Sequence, residues 1–125
     1  DETLVHCSLE RLHAPRPNFL VSFEDTEAPG YVYVRPFAGL FLEIAALLFE
    51  VVVFTAASQS YADQILDKLD PKKKLISKRL YRQHCTEACG GYLKDLRGMG
   101  RPMDRIILVD NSPVSIGLCP DNGIV

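Results

Sequence analysis

The chain has 125 residues, 47% of them hydrophobic and 24% charged, and a net charge of -2. That length holds one domain, with enough apolar material to bury roughly two-thirds of the unfolded surface. The weakly acidic balance argues against a dedicated nucleic-acid binder, and no apolar run reaches the ~18 residues of a membrane-spanning helix. The longest run, from Leu40 to Ala57, is interrupted by Glu43 and Glu50. Cys7, Cys85, Cys89 and Cys119 lack the spacing of a disulfide framework, so reduced thiols in a nuclear or cytoplasmic protein are expected. His84, Cys85 and Cys89 suggest at most a zinc corner, short of the four ligands of a structural site.

Taken in chain order, the two prolines of Ala14-Pro15-Arg16-Pro17 mark a loop. Phe19 to Phe23 is short and partly alternating, which predicts a strand. Glu24 to Gly30 reads as an acidic turn, and Tyr31 to Val34 as a second strand able to pair with the first. Pro36 suits a helix start. Phe37, Leu40, Phe41, Ile44, Leu47 and Leu48 then follow a helical period over Phe37–Phe49. Val51-Val52-Val53-Phe54 predicts a parallel strand buried on both faces. A helix is expected over Ser58–Leu69, capped by Ser58 or Ser60 and ended by Asp70-Pro71.

The basic run Lys72-Lys73-Lys74 follows, and a short strand is expected within Leu75–Arg82. His84 to Gly91 reads as a loop, Lys94 to Leu96 as the start of a short helical segment, and Arg105 to Val109 as a second buried strand. Strands alternating with helices predict an α/β fold with a parallel sheet, whose ligands bind beyond the carboxyl ends of the strands. Thr55 and Asp110 both fall at such ends.

Four short segments carry candidate chemistry, and each alone has an ordinary structural reading. Asp110-Asn111 offers hard oxygen ligands for Mg²⁺, or forms an Asp-Asn-Ser-Pro turn. The Thr55 hydroxyl with the N–H groups of Ala56 and Ala57 suits a phosphate oxygen, or an unliganded strand-to-helix cap. Lys94 is placed to offset phosphoryl charge, or is a solvated surface lysine. Asp1, with Thr3 beside it, is a candidate general acid and base.

Together, in order, the segments are specific. Asp1-Glu2-Thr3-Leu4-Val5-His6, Phe54-Thr55-Ala56-Ala57-Ser58, Tyr61-Ala62-Asp63, Gly91-Tyr92-Leu93-Lys94-Asp95-Leu96 and Asp110-Asn111-Ser112-Pro113 resemble the small C-terminal-domain phosphatases of the haloacid dehalogenase superfamily. This group is also called nuclear LIM interactor-interacting-factor-like. The resemblance extends to Leu80-Tyr81-Arg82 with Cys85 and to Asp121-Asn122-Gly123-Ile124, and Asp70-Pro71-Lys72-Lys73 is most similar to the larger small-phosphatase-like branch.

The resemblance implies a haloacid-dehalogenase-like Rossmannoid parallel sheet with a small β insertion. It implies an Mg²⁺-dependent protein serine/threonine phosphatase working through an aspartyl-phosphate, with the RNA polymerase II tail as a candidate substrate. Asp1 and Thr3 match the second aspartate and the threonine of the family's Asp-x-Asp-x-Thr motif. The nucleophilic aspartate and its central strand would then lie upstream of residue 1. A single domain over residues 1–125, trimmed at both ends and inactive as it stands, is the resulting expectation.

By the same resemblance, Asp1 would act as acid and base and ligate Mg²⁺ through its carbonyl. Thr55 and Ala56 would bind phosphate, Lys94 would orient phosphate and nucleophile, and Asp110 and Asn111 would hold the metal. Tyr61 and Arg82 resemble substrate contacts. Phe19, Val21 and Phe23 lie in the insertion, where peptide contact and plain core packing remain equal alternatives. Two departures from the family pattern are a short approach to Arg35-Pro36 and Gly91 in place of an asparagine. Relatives in mitochondrial import use the fold to receive presequences, so a non-catalytic peptide-binding module is the competing expectation.

Overall fold

Residues 1–125 are described by a computed structural model. Val5–Ser8 forms strand β1, Phe19–Phe23 forms β2 and Thr26–Val34 forms β3. The three pair antiparallel in the order β1-β3-β2, with Cys7 opposite Val32 and Phe19 opposite Val32 on the other side. The strand period of two places Val5, Val21 and Val32 on one face, where they meet Ile65 in a buried cluster. Phe19 and Phe23 pack against that cluster, so the alternation in β2 serves the core.

The acidic turn expected over Glu24–Gly30 contracts to Glu24-Asp25, and the rest joins β3. An irregularity in register between Val21 and Phe23 accommodates the change. Gly30 is the residue this close pairing requires. A Cβ there would lie 2.8 Å from Cys7 Sγ and 2.9 Å from Val21 Cγ2.

Helix α1 spans Ala38–Leu48, close to expectation, but Phe37 is its N-cap with φ 68° and Pro36 lies just before it. Only Ala38 and Leu42 of α1 are buried; Leu40, Phe41, Ile44, Leu47 and Leu48 face outward. Strand β4, Val52–Phe54, is half-buried rather than buried on both faces, because it has one hydrogen-bonded neighbour. That neighbour is the parallel strand β5, Lys78–Leu80, with Val53 opposite Arg79.

Between them runs helix α2, Gln59–Leu69, which buries Ala62, Ile65 and Leu66. Ser58 occupies its N-cap position, although its hydroxyl makes no capping bond. At the other end the Asp70 carboxylate, 2% exposed, accepts the N–H groups of Lys74, Leu75 and Ile76 at 3.0 Å each. Burial pushes this carboxyl up, yet the Ile76, Lys74 and Leu75 donors outweigh it and hold it below the usual range.

Two further expectations are corrected. The loop predicted over His84–Gly91 contains a hairpin of β6, Thr86–Ala88, and β7, Gly91–Leu93. Its two-residue turn has Cys89 at φ 53° and Gly90 at φ 74°, the double left-handed geometry that matches strand twist. Lys94 therefore follows a strand and does not start a helix. The strand predicted over Arg105–Val109 reduces to β8, Leu108–Val109, because Met103–Arg105 turns as a 3-10 segment. It pairs parallel with β9, Gly123–Ile124. The parallel pairs β4–β5 and β8–β9, the two helices and the antiparallel β1–β3 insertion together make the α/β architecture.

Candidate functional site

Thr55 leaves the carboxyl end of β4, and Asp110 leaves that of β8. Between them stands Lys94, delivered by the end of β7 and fixed by its N–H donating to Ser115 O at 2.9 Å. Lys94 and Asp110 form an ion pair, Nζ to Oδ2, with side chains only 9% and 7% exposed. The ammonium also lies 5.9 Å from the centre of the Phe54 ring. The surface-lysine alternative thus does not hold.

Asp110 does form the expected turn, since its Oδ1 accepts the Ser112 N–H at 2.9 Å. The turn and the charge pair use different oxygens of one carboxylate. Beside it, Asn111 Oδ1 accepts the Thr3 hydroxyl at 3.3 Å, which joins the start of the chain to the Asp110 turn.

Tyr61, on the first turn of α2, donates its hydroxyl to Asp1 Oδ1 at 2.7 Å. Its ring stacks on Phe23 at 5.5 Å. Burial, with the neighbouring Cys7 acting in the same sense, pushes the Tyr61 phenol far up, so it stays a donor.

The Thr55 hydroxyl accepts the Ala57 N–H at 3.1 Å, the capping arrangement, while the Ala56 N–H has no partner within the chain. Arg82 closes this loop from the far side. Its Nε donates to Ala56 O at 2.7 Å, its backbone N–H donates to Ala57 O at 3.0 Å, and its guanidinium lies 5.2 Å over the Tyr92 ring. The terminal guanidinium nitrogens carry no ion pair. The structure thus brings Asp1, Thr55, Ala56, Tyr61, Arg82, Lys94, Asp110 and Asn111 to one end of the strands.

Sequence reasoning missed the supports behind this set. Tyr81, 7% exposed, donates its hydroxyl to Asp63 Oδ1 at 2.6 Å, and Asp63 also pairs with Arg79 at 2.8 Å. That bond ties the Tyr61-Ala62-Asp63 segment to Leu80-Tyr81-Arg82, two motifs singled out separately. His84 Nδ1 accepts the Tyr81 N–H at 2.9 Å, so His84 is a turn former. Burial pushes the Cys85 thiol up against the pull of Lys94 and Arg82, and its Sγ contacts Thr55 O at 3.7 Å. No three His, Cys, Asp or Glu side chains converge, which removes the zinc corner.

A family model for NLI interacting factor-like phosphatases matches residues 1–125. The chain belongs to this family. It is therefore a member of a family of phosphatases, of the haloacid dehalogenase superfamily. It is 46% identical over 124 residues to CTD small phosphatase-like protein 2 of Dictyostelium discoideum, covering 99% of this chain and 22% of that protein. It is 36% identical over 132 residues to CTD nuclear envelope phosphatase 1 of Xenopus laevis, covering 99% of the chain and 54% of the relative. The fold is similar to fission yeast RNA polymerase II CTD phosphatase Fcp1-R271A bound to beryllium fluoride. That match has TM-score 0.76 at 17% identity and covers 99% of this chain and 38% of the other. The chain thus spans well under two-thirds of the length of these relatives, and no helix is long and apolar enough to cross a membrane.

Proposed function

We propose that this domain is the catalytic part of an Mg²⁺-dependent protein serine/threonine phosphatase. A nucleophilic aspartate two residues upstream of Asp1 would complete its site. The observation that carries this reading is the buried Lys94–Asp110 pair, set between Thr55 and the Asp1–Thr3 segment at the carboxyl ends of the strands. Family membership and the relatives' names support the phosphatase class.

In this reading the Ala56 N–H, the Thr55 hydroxyl, Lys94 and the free nitrogens of Arg82 bind the phosphoryl oxygens. The Thr55 hydroxyl accepts the Ala57 N–H through its oxygen and keeps its own proton to donate to phosphate. Asp1 donates a proton to the leaving serine or threonine oxygen and takes one from the water that hydrolyses the aspartyl-phosphate. Tyr61 holds the Asp1 carboxylate in place.

The donor set fits a hard cation. The Asp110 carboxylate, the Asn111 amide oxygen and the Asp1 carbonyl are all oxygens, and Thr3 already orients the Asn111 oxygen. Bound there, Mg²⁺ would supply charge neutralisation for the phosphoryl oxygens. A central strand from the residues before Asp1 would also account for the one-sided pairing of β4 and the outward apolar side of α1. The polymerase tail remains the first substrate to try, and nuclear or cytoplasmic residence follows from the same reading.

The decisive assay extends the chain upstream with its natural residues and follows phosphate release from a phosphoserine peptide, with and without Mg²⁺. Turnover that depends on Mg²⁺ and is absent from the 125-residue chain is expected. Peptide binding without turnover in the folded, extended protein would overturn the enzyme reading in favour of a peptide-binding module.

A further inference from the structure

A cleft of about 480 Å³ opens beside the phosphate-binding loop. It shares Arg82 with the candidate site, and its other walls come from Ser58, Gln59, Gln83, Cys85, Glu87 and Tyr92. The two flanks of the site differ in chemistry. The Tyr61 flank is aromatic, with Tyr61 stacked on Phe23 at 5.5 Å. The cleft flank is polar, and Gln83 Nε2 donates to Gln59 Oε1 at 3.2 Å within it.

Two charges line the cleft. Arg82 turns towards the loop through its bond to Ala56 O, where a dianionic phosphoryl group would neutralise it. Glu87 stands on β6 directly across from Tyr92 on β7 and has neither an ion pair nor a hydrogen bond within the chain. Once phosphate occupies the site, the uncompensated charge of the cleft is that carboxylate, beside the Tyr92 ring that already carries the Arg82 guanidinium at 5.2 Å. Because Arg82 belongs to both the site and the cleft, the cleft adjoins the place where a residue flanking the phosphoserine would lie.

We propose that the cleft is a subsite for a lysine or arginine flanking the phosphorylated residue, read by Glu87. This selectivity rests on the phosphopeptide reading above. It is a preference rather than an absolute filter, because Glu87 is solvent-exposed and one such ion pair changes affinity only about three- to fivefold.

The test uses the protein extended with its natural upstream residues. Binding of phosphoserine peptides carrying either lysine or glutamate on each side of the phosphoserine is measured by fluorescence anisotropy. The wild type, Glu87→Gln and Glu87→Lys are compared. Hydrolysis of p-nitrophenyl phosphate, which leaves the cleft empty, is measured in parallel for the wild type. A three- to fivefold lysine preference on one side, lost in Glu87→Gln and reversed in Glu87→Lys, supports the subsite. Equal affinities in the wild type, or a preference unchanged by both substitutions, overturns it. Failure to hydrolyse p-nitrophenyl phosphate while the preference persists overturns catalysis and leaves the subsite standing. Failure to bind any phosphopeptide overturns both.

Discussion

Replacing Lys94 by methionine tests whether the centre of the site is held by charge. The substitution keeps most of the side-chain volume and removes the ammonium. The Asp110 carboxylate, 7% exposed, then retains the Ser112 N–H on Oδ1 but loses its partner on Oδ2. Stranding one member of a buried pair costs about 3–5 kcal/mol. With a urea slope of about 2 kcal/mol per molar for a domain of this size, the unfolding midpoint should fall by about 2 M.

The double variant Lys94→Met, Asp110→Asn should recover about 2 kcal/mol of that loss, because the remaining buried group is a neutral amide. Urea unfolding at pH 7, followed by circular dichroism, measures both. A cost below about 1 kcal/mol for Lys94→Met, or no recovery in the double variant, would refute a desolvated ion pair at this position.

Three other substitutions probe the frame around the site. Asp70→Asn should lower stability at neutral pH. Because the folded carboxyl lies below its ordinary value, this contribution is complete above about pH 4 and lost as pH falls through the depressed folded value. The gap between wild type and variant in urea should therefore stay constant from about pH 6 to about pH 4 and narrow only below that. Gly30→Ala should cost about 1–3 kcal/mol by overpacking β3 against Cys7 and Val21, read as a lower thermal midpoint. Tyr81→Phe removes the 2.6 Å bond to Asp63 and should cost about 1.5–3 kcal/mol, measured by urea unfolding.

Thr55 and Asp110 were legible as neighbours because each follows a recognisable strand, whereas Lys94 was expected to open a helix and in fact follows a hairpin strand. Thr55 after Val52–Phe54 and Asp110 after Leu108–Val109 needed only the strand ends to be right, and those were right although both strands are shorter than their apolar runs suggested. What periodicity could not supply was partners. The apolar period of α1 shows which side chains form a stripe, but Leu40, Ile44 and Leu47 are exposed, since the pattern does not provide a surface to cover them. The hairpin at residues 86–93 was hidden for a different reason. Its turn sets Cys89 at positive φ, where an asparagine or aspartate would have signalled it. Asp70 likewise reads as a helix terminator in sequence, and only the fold shows its carboxylate gathering the following loop.

Tyr61 separates two roles that the motif alone merges. Resemblance assigns it to substrate binding, whereas the geometry gives its hydroxyl to Asp1 at 2.7 Å. Burial, with Cys7 acting in the same sense, pushes its phenol far up, so at neutral pH it is protonated and donates to Asp1. A fixed donor on the proposed acid-base group positions that group for proton transfer. Tyr61→Phe keeps the ring and its stack on Phe23 while deleting the donor. In the upstream-extended protein, loss of about 1–1.4 kcal/mol of positioning should lower kcat about five- to tenfold with KM little changed. A substrate contact made equally before and during reaction would instead raise KM and leave kcat alone. Steady-state kinetics on a phosphoserine peptide decides between them, and a rise in KM at constant kcat would return Tyr61 to the substrate-binding role.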